Sequence, residues 1–363
     1  MKKGISTVVV IAIVIVLVIA IAVPLFVLMR PAGPGPTITV TVTTSSPTTP
    51  TKKLKIAFLT TTDETDLGWS KSVVDAANYA NLKYGFETNI TRFTSYADAP
   101  RIMSDYAEKG FDIIWTMGAE YHHPEVAQQY PNTHFVSINP WSEVPANMIG
   151  ITEVHWEGSY LAGVLAAYMT KTKAIGHIMG ENYVTLHMST ISFEAGIHSV
   201  DPTIKFYSVY AGSWSDASLG YSIAEAMIEE HNVDIIMQEA DVTGRGVVSA
   251  CVDKGIMVIG VYGDQSALAP ANTLTSVDLK TYVMLDTIIK IYQAGKWSDY
   301  GGKLWEMGLA EGTVDLAPFH EFETKVPQAA RDAIEAAKQG IINGTIQMPG
   351  KDVYPGYPRL SFP

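Results

Sequence analysis

Aromatic side chains stand in predicted loops that follow predicted strands. Trp69 follows the apolar run Ile56–Leu59, Trp115 and Tyr121 bracket the loop of the Ile113–Met117 unit, and Trp141 follows Asn139-Pro140. Trp214 follows Gly212, and Tyr262 follows Val258–Val261. One such residue is ordinary packing. Several in topologically equivalent loops describe a cleft that stacks a flat or cyclic ligand. Asp66, Asn139, Glu239, Asp241 and Asp264 are the polar companions whose hydrogen bonds would orient it, and Gly118 and Glu120 share the loop of Tyr121.

Catalytic patterns are missing beside these residues. The chain has no Gly-x-Ser-x-Gly elbow, no phosphate-binding Gly-x-x-x-x-Gly-Lys-Ser/Thr, and no Gly-x-Gly-x-x-Gly after the first strand. Thr243-Gly-Arg-Gly246 reads as a helix entry. Glu120-Tyr-His-His-Pro-Glu125 is rich in metal-ligand types, and His122 and Glu125 at i, i+3 can share a helix face. No third ligand is placed near them, so the stretch reads as a solvated loop at a helix start. Glu153 and Glu157, at i, i+4, read as an exposed pair. The single cysteine, Cys251, lies in a helical pattern and reads as a buried thiol. Enclosed binding without nucleophile, metal or cofactor motif describes a receptor more than an enzyme, and no cofactor is expected.

The elements that position these loops alternate. Strand candidates are Ile56–Leu59, Ile113–Met117, Phe135–Ile138, Ile175–Met179, Ile204–Val209, Ile235–Gln238 and Val258–Val261. Helical patterns over Ser70–Leu82, Ala97–Lys109, His123–Gln129, Gly158–Thr170, Ser189–Val200, Ser215–Glu230, Gly244–Lys254, Thr281–Ala294 and Val326–Gln339 separate or follow them. Such alternation makes parallel sheets with helices on both faces, an α/β fold of two doubly wound lobes. The expected first lobe is residues 54–152 plus about 277–298. The expected second is 153–276 plus about 299–363. In sheets of this kind ligands bind beyond the carboxyl ends of the strands, where the aromatic loops stand.

The start of the chain sets the expected compartment. Val8–Met29 is apolar except for Pro24, follows Lys2 and Lys3, and ends at Arg30. As a helix it rises about 33 Å, enough for a hydrocarbon core of about 30 Å. The lysines favour the cytoplasmic side for residue 1, which leaves the rest outside the cell membrane on a signal or anchor helix, residues 1–30. Residues 31–53 are rich in Thr, Ser and Pro and read as an extended stalk. The net charge of −12 leaves no basic patch for nucleic acid.

Five segments resemble the basic membrane protein family of extracytoplasmic binding proteins, related to a purine nucleoside receptor. They are Asp66-Leu-Gly-Trp-Ser70, Glu157-Gly-Ser-Tyr-Leu-Ala-Gly163, Tyr210-Ala-Gly-Ser-Trp-Ser-Asp216, Val258-Ile-Gly-Val-Tyr-Gly-Asp-Gln265 and Gly312-Thr-Val-Asp-Leu-Ala-Pro-Phe319, in the family's order. The resemblance implies a type I periplasmic-binding fold with a three-stranded hinge, and a small-molecule ligand clamped between the lobes. It also implies delivery to the permease of an ABC importer. The ligands it implies are purine nucleosides, with Trp69 stacking on the base and Phe193 as a second stacking position. Ser70 stands where the family usually has Asn. Tyr262 stands where its ribose-binding carboxylate tends to sit, while Asp264 is kept and Lys280 loosely matches a recurrent lysine. A free nucleobase is therefore a candidate beside a nucleoside. The alternatives are a sensor of the same fold feeding a signalling partner, and a binder of another cyclic solute such as a sugar.

Overall fold

The computed structural model describes residues 53–350 and 352–362. The expected membrane helix and nearly all of the expected stalk lie outside the described residues. Among the described residues no helix is long and apolar enough to cross a membrane.

Strand β1 (Lys55–Leu59) shows how the sequence specifies the sheet. Ile56 and Phe58 enter one apolar cluster, and Ala57 and Leu59 enter another on the opposite face. Side chains alternate along a strand, so a run apolar at every position requires cover on both sides. The same alternation recurs in β3 (Ile113–Thr116), where Ile113 and Trp115 face the first cluster and Ile114 the second. Helices Trp69–Tyr84 and Ala99–Glu108 supply that cover, with Val73, Ala76, Ala77 and Ala80 on one face and Met103 and Tyr106 on the other.

The remaining strands are β2 (Glu87–Thr91), β4 (His134–Ile138), β5 (Met148–Glu153), β6 (Ala174–Met179), β7 (Lys205–Tyr210), β8 (Ile235–Glu239), β9 (Met257–Val261), β10 (Thr273–Leu279), β11 (Lys303–Met307) and β12 (Val314–Leu316). They form two six-stranded sheets, ordered β11-β5-β4-β3-β1-β2 and β12-β10-β9-β8-β6-β7. The first sheet pairs in parallel throughout, and only β12 runs antiparallel in the second. Two parallel-sheet α/β lobes result, as the alternation predicts.

All seven expected strands are present, and β2, β5, β10, β11 and β12 are additional. Strand β2 is a half-exposed edge without an apolar run. The others flank the crossings between lobes. Strand β11 joins the first sheet through β5, which carries that lobe past the residue 298 expected for it. Strand β10 lies wholly in the second sheet, so the return to the first lobe expected at about residue 277 falls after Leu279.

Three chain crossings link the lobes, at Val154–His155, at Lys280 and between β11 and β12. They are bonded side by side: Val154 N donates to Met307 O (3.0 Å) and Lys280 N to Thr313 O (2.7 Å). The segment Glu157–Gly163 opens the helix Trp156–Met169 beside these crossings. A Cβ on Gly163 would stand 2.2 Å from Phe193 O, and one on Gly196 2.1 Å from Tyr160 O. These glycines let helices Trp156–Met169 and Val184–Val200 touch backbone to backbone.

Candidate ligand-binding cleft

The carboxyl ends of both sheets face one cleft, with a volume of about 610 Å³. That lies within the range of about 300–1,000 Å³ common to small-molecule sites. Trp69, Tyr96, Gly118, Glu120, Asn139 and Trp141 line it from the first lobe. Tyr183, Trp214, Asp241 and Tyr262 line it from the second, and Tyr354 and Tyr357 approach from the C-terminal segment.

Trp69 begins its helix directly after the loop that leaves β1. Its indole Nε1 donates to Met117 O at 3.3 Å, which fixes the ring. The ring meets Tyr262 edge to face, centroids 4.9 Å apart at 72°. Trp214 lies against Gly180, where a Cβ would stand 2.3 Å from the indole, and stacks on Tyr183 at 6.0 Å and 30°. The Tyr183 hydroxyl is held by Glu120 and Glu181, and burial together with those charges keeps its pKa far above the usual phenol range.

Three lining residues other than glycine adopt left-handed backbone: Asn139 (φ 55°), Asp241 (φ 47°) and Tyr262 (φ 69°). Each costs about 1–3 kcal/mol and persists because its surroundings hold it. Asn139 N donates to Ile151 O (2.7 Å), and its side-chain Nδ2 to Glu153 Oε1 (3.0 Å). The Tyr262 hydroxyl donates to Glu239 Oε1 (2.5 Å).

Beneath the cleft runs a fully buried polar chain. His155 places Nδ1 2.6 Å from Glu153 Oε2 and Nε2 2.7 Å from Glu239 Oε1. Burial alone would push this imidazole down. The two carboxylates outweigh it and hold the pKa at about 10. Glu239 is held well below the carboxylate range, because His155 and His177 overcome the opposing effect of burial. The pair Glu153 and Glu157 is therefore not exposed. Glu153 ends β5, and Glu157 accepts from Leu309 N (2.8 Å) and pairs with Arg359.

Of the expected site residues, Trp69, Gly118, Glu120, Asn139, Trp141, Trp214, Asp241 and Tyr262 line the cleft. Asp66 turns inward and accepts from the backbone of Gly68, Ser70 and Lys71, capping the helix that Trp69 opens. Ser70 is buried against Thr60 and Thr62 (2.5 and 2.8 Å). Trp115 and Tyr121 are core residues, the latter donating to Thr94 O (2.7 Å). Phe193 is buried between His177 and Phe206 and presents no face to the cleft. Glu239 lies behind Tyr262. Asp264 faces His320 (2.6 Å), and Lys280 faces Asp315 (3.8 Å) at a hinge crossing. Sequence reasoning missed Tyr96, Tyr183, Tyr354 and Tyr357. Only Tyr183 carried a signal, since it follows strand β6 at its carboxyl end.

Two α/β lobes joined by three crossings, with an aromatic cleft between their carboxyl ends, define a two-lobed solute receptor of the periplasmic-binding class. The profile of the Bmp family, ABC transporter substrate-binding proteins of PnrA-like type, matches residues 53–352, and the chain belongs to that family. Basic membrane protein B of Borrelia garinii subsp. bavariensis is 32% identical over 270 residues, covering 70% of this chain and 79% of that protein. A purine-binding protein of Brucella abortus is 28% identical over 301 residues, covering 80% and 83%. Among solved structures, an ABC transporter solute-binding protein of Aeropyrum pernix K1 superposes with a TM-score of 0.73 at 19% identity. That match covers 84% of this chain and 95% of the other, and it speaks to the fold.

Proposed function

We propose that the protein is the extracytoplasmic receptor of an ABC importer, tethered to the cell membrane by residues 1–30, and that it clamps a purine nucleoside or nucleobase. The observation that carries this reading is the cleft itself, with aromatic side chains on both lobes around a volume suited to one flat ligand. The purine-binding relative supports the ligand class. Closure would bring the two aromatic walls onto opposite faces of the base. With Tyr262 bonded to Glu239 there is less carboxylate at hand for a ribose, which favours contacts to the base.

Calorimetry of the full chain in detergent with adenosine, guanosine, inosine and their free bases tests the ligand. Saturable binding of at least one purine is expected, and no binding of any would overturn the ligand class. Co-purification with a permease encoded beside the gene tests the transport partner. Fractionation of intact cells tests the anchor.

A further inference from the structure

Charge in the cleft is one-sided. Among the described residues its lining includes the carboxylates of Glu120 and Asp241 and no lysine, arginine or histidine. The guanidinium of Arg245 stands behind the wall, spent on Thr65 O and Thr65 Oγ1 of the opposite lobe. Glu120 is engaged by the Tyr183 hydroxyl. Asp241 makes no hydrogen bond or ion pair to any described residue, although it opens a helix at the carboxyl end of β8.

Around these two carboxylates stand the rings of Trp69, Tyr183, Trp214 and Tyr262. Aromatic faces attract cations through their quadrupole, most strongly where water is excluded. A neutral purine would satisfy the rings and can at most donate a hydrogen bond to Asp241, leaving its charge without a counter-ion in a closed site, where an uncompensated charge is costly. A cation satisfies both.

We propose that the cleft selects a purine bearing a positive charge, an N-alkylated or N-protonated base, with Asp241 as its counter-ion. The proposal rests on the purine reading and narrows it to one charge state. Burial, together with the carboxylates of Asp66, Glu239 and Glu120 and against the pull of Arg245, pushes Asp241 up to about 7, as a carboxylate surrounded mostly by like charge should behave.

The test is calorimetry of the full chain at pH 7.5 with three methylated nucleosides beside adenosine and inosine. 1-Methyladenosine is a cation at that pH. N6-Methyladenosine is its neutral isomer. 1-Methylinosine is neutral and carries a methyl at the same ring position, so it reports whether that methyl fits. The expected result is at least about tenfold tighter binding of 1-methyladenosine than of either neutral compound. In Asp241→Asn the ratio should fall to about twofold or less. Glu120→Gln gives a second reading of the ratio should Asp241→Asn fail to fold. 1-Methyladenosine binding no tighter than 1-methylinosine overturns the proposal, including the case in which both fail while adenosine binds. Failure of adenosine and inosine as well would overturn the purine reading itself.

Discussion

Trp69 and Tyr262, one from each lobe, meet edge to face at the back of the cleft with ring centroids 4.9 Å apart. Each ring is fixed by a polar atom of its own, the indole nitrogen on Met117 O and the phenol on Glu239. A ring held this way has little side-chain entropy left to lose on contact with another group. Trp69→Ala should weaken purine binding by about 1–3 kcal/mol. Trp69→Phe should recover part of the loss, and titration calorimetry reads both.

The imidazole of His155 separates two buried carboxylates. His155→Ala leaves Glu153 and Glu239 without the charge between them, and the expected loss in stability is about 3–5 kcal/mol in denaturant melts. The sign of the pH dependence follows from linkage. The folded state holds the proton more tightly than the unfolded chain, so the contribution is complete below pH 6.5. It is lost as pH rises through about 10. Wild-type stability should therefore decline across that window, and the decline should be shallower in His155→Gln.

Asp241 predicts the opposite outcome on substitution. Its folded pKa of about 7 lies above the unfolded value of 3.8, so ionising it works against the folded state. Asp241→Asn should raise the melting temperature of the ligand-free protein. The gain should grow between about pH 4 and pH 7 and stay constant above. Thermal melts at four pH values check this without any ligand.

Gly163 and Gly196 predict a structural failure. An added Cβ at either would collide with a carbonyl oxygen of the opposing helix, and backbone cannot step aside as a side chain can. Gly163→Ala should cost about 1–3 kcal/mol or more. Chemical denaturation measures the loss.

The fold was readable because buried parallel strands are apolar at every position, as in Ile56–Leu59, and because helical spacing separates them. Strands such as β2, with Glu87 and Thr88 on a half-exposed edge, carry no such pattern. The site was readable only in part. Trp69 and Trp214 follow strands and line the cleft. Phe193 has the right chemistry, but it sits on a helix face that turns into the core, and spacing alone does not say which face turns inward. Glu157–Gly163 stands out as a motif, and its physical work is tight helix contact and an anchor for Arg359. Tyr354 and Tyr357 belong to a Pro- and Gly-containing segment without periodicity, and only long-range contacts bring them to the cleft.

Those last tyrosines belong to neither sheet. Their segment is pinned by Arg359 to Glu157, Glu306 and Glu311, and by Leu360 N to Glu306 O at 3.0 Å. The anchor and the ligand-facing residues are thus different residues of one short stretch. Val353 and Tyr357 are exposed, whereas Tyr354 packs on Trp156 beside the Val154 crossing, so exchanging only the side chains of Val353 and Tyr357 would redraw one side of the cleft with the hinge packing kept. That wall of the cleft can thus change at two exposed positions, apart from the salt bridges that hold the segment in place.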